Sequence, residues 1–324
     1  MSLSALGSRA ISGMFFRRLE NVFDNSWYAG LCFDNRSDQQ NEEYRFSSAV
    51  PPFRKYSGQN APVRLSTNKV VIANEVWETA LNIPLDDLRR DKTGQIERRI
   101  DELAKRVDYL FDERFTTLIT DGDIGTGFGG LASDGQYFFD TDHSEGSSGT
   151  LQNNIDYSDV ASLNVDSATA PTQAEAAKFL LDVISYMLTY KDDQGEPING
   201  DARTFTVVVP TNLYGPVLAA TTNSRLDGAS GTVRDNVLLT SGFKVSVKCN
   251  PRLDTDSTSV GYIFRSDDTA KPFIRQEEVG VQFDDTCGEG SEYCSLNREC
   301  RYSCTWVGGF GYGIYQYALR FTLS

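Results

Sequence analysis

Histidine is almost absent from this chain of 324 residues, which has one, His143. A single imidazole is a thin supply for zinc or iron, which favour several nitrogen or sulfur ligands. It also leaves one side chain as the sole histidine base for any nucleophilic triad, and no G-x-S-x-G stretch accompanies it. Long apolar runs are missing as well. None approaches the ~20 residues that cross a bilayer, and the opening MSLSALGSRAISGMFFRRLENVF lacks the continuous apolar core of a signal peptide. The expectation is therefore synthesis in a cytoplasm with no membrane partner. Basic charge is in deficit: 31 Lys and Arg stand against 45 Asp and Glu, for a formal charge of −14. That balance argues against a dedicated nucleic-acid binder, because phosphate contacts need clustered cations. The short runs FFRRLE, ERR and LRR read instead as solvated faces or subunit contacts.

What is present is ordinary globular material. Apolar residues make up 40% and charged residues 23%, enough for a real core, so disorder is not the main state. Residues 1–33 mix apolar and basic side chains. Met14, Phe15, Phe16, Leu19, Val22 and Phe23 recur there at helical spacing, which predicts an arm with a short amphipathic helix. Residues 34–68 are polar and broken by Pro51, Pro52 and Pro62. KVVIANEVWETALNIPL (69–85) is extended by its Val, Ile and Trp. Together these predict a long excursion ending in a strand, with Phe15, Phe16, Val70, Ile72 and Trp77 left for neighbouring subunits to cover.

The clearest helix spans 94–119. Ile96, Ile100, Leu103, Val107, Leu110, Phe111, Leu118 and Ile119 fall on one face, opposite Glu97, Arg98, Asp101 and Lys105, with Asp91 or Thr93 able to cap the start. Such a helix would run roughly 40 Å. The glycine-rich DGDIGTGFGGLASDG (121–135) contains G-x-G-x-x-G but follows a helix and precedes none, so the dinucleotide reading is rejected in favour of a mobile loop. A second helix is expected over 171–190, opened by the capping box Thr172–Glu175. Strands are expected at 203–210, 243–250 and 260–266 and in the Tyr-, Phe- and Gly-rich C-terminal segment. The fold class is α+β.

Two constellations invite a chemical reading. Asp140 and Asp142 precede His143 and could serve a metal-dependent hydrolase. On an extended backbone, however, the two carboxylates share one face and His143 points to the other, so they converge only around a turn. The bland alternative is a structural turn. Separately, Cys287, Cys294, Cys300 and Cys304 are spaced C-x6-C-x5-C-x3-C, without C-x-x-C pairs or nearby histidine, which disfavours zinc. Free thiols and disulfides remain open, and a hairpin there would nest Cys287–Cys304 around Cys294–Cys300.

Several stretches together resemble one family. GQYFFDTDHS with the following NN is similar to the mark of Mu-like phage major head subunits. TFTVVVPTNLYGPVLAA, KPFIRQEEVGVQF and GYGIYQYALRFTLS resemble later segments of that family, and VPPFRKYSG and NKVVIANEVWETALNIPLDDL fall in its order. Two features depart from it: Arg89 and Arg90 interrupt the acidic run usual before the long helix, and the four-cysteine insert lies outside the pattern. The resemblance implies a Hong Kong 97-type capsid fold. It assigns 1–33 to an N-terminal arm, 34–90 to an extended loop, 91–159 to a peripheral domain with the spine helix, 160–285 to an axial domain, and 286–324 to the cysteine-bearing segment and a return strand to the peripheral domain. It implies no catalytic residue, no cofactor and no metal. The implied role is a subunit of hexamers and pentamers in an icosahedral phage head, assembled in the host bacterial cytoplasm around double-stranded DNA without sequence-specific contacts. A portal and decoration proteins are implied partners. Because no domain-sized segment precedes the arm, a separate scaffolding protein is expected. A cellular encapsulating shell of the same fold would share these features but package cargo enzymes.

Overall fold

A computed structural model describes residues 11–19, 26–47, 67–90, 94–227, 233–255, 258–286 and 291–324. Helix α1 (11–19) precedes strands β1 (Cys32–Arg36), β2 (Asn41–Ser47), β3 (Thr67–Ala73) and β4 (Glu75–Pro84). Helices α2 (Leu85–Arg90) and α3 (Gln95–Thr120) lead to the short β5 (Asn154–Ile155) and α4 (Gln173–Met187). Next come β6 (Thr204–Val209), α5 (Thr211–Thr222), β7 (Arg225–Asp227), β8 (Val233–Asp235) and α6 (Val237–Thr240). The chain closes with β9 (Lys244–Cys249), β10 (Val260–Arg265), β11 (Phe273–Asp285), α7 (Glu292–Asn297), β12 (Glu299–Tyr312) and β13 (Ala318–Thr322).

The apolar stripe of α3 decides its place. Ile100, Leu103, Val107, Phe111, Leu118 and Ile119 are buried, joined by Ala104 and Phe115, while Ile96 and Leu110 are only partly covered. Gly94 stands at its start in a left-handed conformation (φ 70°) and makes no side-chain cap hydrogen bond. Asp91 and Thr93 lie outside the described residues. The stripe packs on a four-stranded sheet in the order β1-β11-β12-β4. Along β12, Cys300, Tyr302, Cys304 and Trp306 are buried by the period-2 pleat. Phe111 meets Trp306 and Phe310 edge-on at 4.9 and 5.5 Å, and Phe115 meets Phe310 at 5.1 Å.

The second layer is a five-stranded sheet, β5-β13-β10-β6-β9. Every residue of β10 is buried, as its central place between β13 and β6 requires. Helix α4 covers this sheet through contacts such as Phe179–Phe321 at 5.6 Å. Its capping box is formed as the sequence predicts, with the Thr172 hydroxyl accepting from the Glu175 amide and the Glu175 carboxylate accepting from the Thr172 amide.

Two late strands cross between the sheets. β11, placed with the 160–285 segment, pairs with β12 under the spine helix, and β13, the closing strand, lies inside the five-stranded sheet. Strand order along the chain carries no information about which sheet a strand joins when the connections cross between sheets.

The excursion is also more anchored than expected. β2 and β3 form an antiparallel pair from Asn41↔Ala73 to Ser47↔Thr67. Val70 and Ile72 are buried within the subunit, as is Phe15 of α1, which stacks on Phe283 at 4.7 Å. Of the five residues assigned to neighbours, only Phe16 is well exposed; Trp77 is half-buried, with the Arg114 guanidinium 4.2 Å from its ring centroid. The physical reason is a pair of glycines. Ile72 rests where a Cβ on Gly309 or Gly311 of β12 would sit, within 2.8 Å of the first position and 2.4 Å of the second. Gln276, fully buried on β11, fastens the root of this pair by donating to the Ile72 carbonyl (3.1 Å) and Asn74 Oδ1 (2.6 Å) and accepting from the Tyr44 hydroxyl (3.1 Å).

The loop after α3 is packed rather than mobile. A Cβ on Gly122 would meet the Phe139 ring at 2.5 Å, and one on Gly129 would meet Tyr312 at 2.4 Å. These glycines admit aromatic rings close to the backbone, which is a packing requirement that composition alone cannot separate from flexibility.

Candidate functional site

His143 lies in the loop that joins the spine helix to the five-stranded sheet. It is fully buried, and its Nδ1 is 2.6 Å from Asp134 Oδ2. Its ring stacks on Tyr315 with centroids 4.0 Å apart and planes 10° apart. The Leu151 amide donates to its carbonyl at 2.8 Å, closing the loop on itself.

The neighbouring carboxylates do other work. Asp140 accepts from the amides of Thr141 (2.7 Å) and Tyr137 (3.2 Å), while its own amide donates to Asn153 Oδ1 at 2.8 Å. Asn153, also fully buried, donates from Nδ2 to the carbonyls of Phe138 (2.8 Å) and Tyr315 (3.3 Å). Asp142 is exposed. Asp140 therefore folds back onto its own turn, Asp142 faces water, and His143 faces the core. Among the described residues no group of three or more His, Cys, Asp or Glu side chains is placed to hold a metal ion.

The cluster does tie segments together. Glu145 accepts from Asn68 Nδ2 on β3 at 3.0 Å, linking the β2–β3 pair to this loop. Burial raises its carboxyl above the usual range, and the charges of Asp134 and Asp193 add to this. The Tyr315 phenol is held well above its ordinary value by burial and then by the charges of Glu145 and Asp134.

A model of the family "Mu-like prophage major head subunit gpT" matches residues 9–183. The chain belongs to this family. The Mu-like prophage FluMu major head subunit of Haemophilus influenzae is 27% identical over 159 residues, 48% of each chain, so the match spans about half the length of that relative. Among solved structures, the procapsid of bacteriophage JBD30 is similar at a TM-score of 0.53 with 16% identity, covering 99% of this chain and 76% of that one. The capsid of Cyanophage P-SCSP1u gives a TM-score of 0.56 with 11% identity, covering 92% and 88%. The fold is the Hong Kong 97-type capsid fold, mixed α and β as the sequence indicates. Family and fold are those of structural capsid proteins, so the hydrolase alternative at Asp140, Asp142 and His143 falls away.

For this head-subunit family member, Asp134, Asn153 and Tyr315 are what sequence reasoning missed. Asp134 lies nine residues before His143 and carries no motif of its own. Tyr315 comes from the C-terminal segment, and nothing local in the sequence points from one ring to the other.

Cys294 and Cys304 are free thiols, so neither nested bridge closes, whereas Cys300 is disulfide-bonded. Cys287 lies outside the described residues. Cys304 sits opposite Phe283 and Thr79 in the interior of the sheet, buried beneath α3. Burial, then the Asp284 charge, push its thiol up to about 11. Cys32 and Cys249 are free as well.

Proposed function

We propose that this chain is the major head subunit of a tailed double-stranded DNA phage, assembling as hexamers and pentamers into an icosahedral head. The observation that supports this most strongly is the family match across 9–183 combined with coverage of 99% of the chain by a procapsid subunit fold. In this reading α1 belongs to the arm, and the β2–β3 pair belongs to the extended loop that serves a neighbouring subunit. α3 and the four-stranded sheet form the peripheral body, and the five-stranded sheet with α4 and α5 the axial one. Portal and decoration proteins are partners, and the packaged genome is enclosed without sequence-specific contacts. The shell is built in the host cytoplasm and ends in the virion. Among the described residues no helix is long and apolar enough to cross a membrane.

Negative-stain microscopy of the expressed protein after size exclusion tests the reading. Shells, tubes or capsomer rings are the expected outcome. Particles that always purify without nucleic acid from infected cells would favour the cellular encapsulating shell. A monomer that binds one divalent metal tightly, and never assembles even with a scaffold, would overturn the proposal.

A further inference from the structure

Arg114 sits on the flank of α3 with its side chain only 22% exposed. Its guanidinium lies between two rings, 4.2 Å from the centroid of Trp77 on β4 and 5.1 Å from that of Phe128 in the following loop. Stacking occupies the faces of a guanidinium and leaves its in-plane N–H donors for an acceptor. Within the subunit that acceptor is missing. The buried Nε of Arg114 has no hydrogen-bond partner among the described residues, and neither has the buried indole N–H of Trp77. The one carboxylate oxygen within 4 Å of the guanidinium among those residues is Glu113 Oε1, at 3.9 Å from Nη2. Other half-buried arginines are served differently: Arg252, Arg265 and Arg275 each hold a carboxylate oxygen at 2.6–2.8 Å. Native proteins leave few buried donors unpaired, because each one has lost its water without replacement.

We propose that Arg114, held between Trp77 and Phe128, receives an aspartate or glutamate side chain from a second copy of this chain, with the Trp77 indole N–H as an added donor. The proposal rests on the assembly reading in that it needs that second copy. The planar fork of a guanidinium matches a carboxylate in two parallel hydrogen bonds. Copies with 45 acidic against 31 basic residues present carboxylates to one another more than any other charge. The position suits an incoming neighbour: β4 is an outer strand of its sheet, and Val76, beside Trp77, is 69% exposed. Trp77 and Phe128 also line a cavity of about 240 Å3, and Glu75, which lines it too, forms no ion pair with Arg114 among the described residues. Arg and Trp are the side chains that most often dominate an interface. Flanked by two rings, the pair is screened by salt less than an exposed one, so it adds to the apolar contacts around it.

The test compares the full-length parent with Arg114→Met, which keeps an apolar chain between the rings and removes the charge, and with Trp77→Phe, which keeps a ring and removes the N–H. Sedimentation over a concentration series in about 0.5 M sodium chloride reads association, and urea unfolding of the dissociated subunit reads stability. Arg114→Met should need roughly tenfold more protein or beyond to reach half assembly, and Trp77→Phe should fall between it and the parent. The unfolding midpoint of Arg114→Met should equal or exceed the parent's, because nothing inside the subunit pairs with the guanidinium. Association of Arg114→Met equal to that of an assembling parent would sink this inference alone. A lowered midpoint accompanying weaker association would make Arg114 a structural residue and overturn the proposal. Unchanged association with lost retention of a double-stranded oligonucleotide at about 0.05 M salt would assign the site to phosphate instead and also overturn it. A parent that never associates at any concentration would remove the assembly reading and this inference together.

Discussion

At the residue scale, the lone histidine is a packing element whose cost of removal can be stated. His143 fills a closed site, stacks on Tyr315 and is the hydrogen-bond partner of a carboxylate whose side chain is only 3% exposed. Replacing it with alanine opens a cavity and leaves Asp134 buried without that partner. Breaking a buried charged or hydrogen-bonded pair in this way costs about 3–5 kcal/mol. His143→Ala should therefore lower the urea midpoint of the subunit strongly. Asp134→Asn, which keeps a polar partner for the imidazole, should lower it less. Equal stability of His143→Ala and the parent would show that the cluster is not a fastening. Neither substitution should create or remove a hydrolytic activity.

At the element scale, local patterns were the readable part. The apolar stripe of α3, the capping box of α4 and the apolar run of β6 each declare themselves within a few turns or residues, because their periodicity is a local property. The pairings that complete the fold are not local. β1 pairs in parallel with β11, from Cys32↔Phe273 to Arg36↔Glu277. The burial of Ile72 depends on glycines in β12, and the stacking of His143 depends on Tyr315. No periodicity near one partner encodes the other, which is why Val70, Ile72 and Phe15 read as needing a neighbour. The capping box gives this scale its prediction. Burial alone would raise the Glu175 carboxyl. The Asp166 amide, the Thr172 hydroxyl and the Thr172 amide more than offset that, leaving it below the usual glutamate range. A group whose folded pKa is depressed stabilises above its unfolded pKa, and that contribution disappears as pH falls through the folded value. Glu175→Gln should therefore cost about 1 kcal/mol at neutral pH, the usual worth of a cap. The gap to the parent should close as the pH drops below the glutamate range. A gap that stays constant with pH would assign the loss to packing instead.

At the scale of the whole molecule, the excess of acid meets the demands of assembly. Each subunit carries a formal −14, and a shell brings many such subunits into contact. Like charges on approaching surfaces repel over a Debye length of about 10 Å at 0.1 M salt, shrinking to about 3 Å at 1 M. Opposing this, each subunit offers large apolar side chains that its own core does not cover, including Val76 at 69% exposed on the outer strand β4 and Tyr109 at 46% on α3. Burying such groups between subunits is favourable and insensitive to screening. If this chain is the head subunit we propose, association should therefore rise with ionic strength. At a fixed subunit concentration, the assembled fraction read by light scattering or sedimentation should be higher in about 0.5 M than in about 0.05 M sodium chloride. Val76→Asp should weaken assembly at both salts, with a subunit unfolding midpoint close to the parent's because the side chain is largely exposed. Assemblies that dissolve as salt is raised would point to complementary ion pairs as the main cohesive contact and would refute the apolar account.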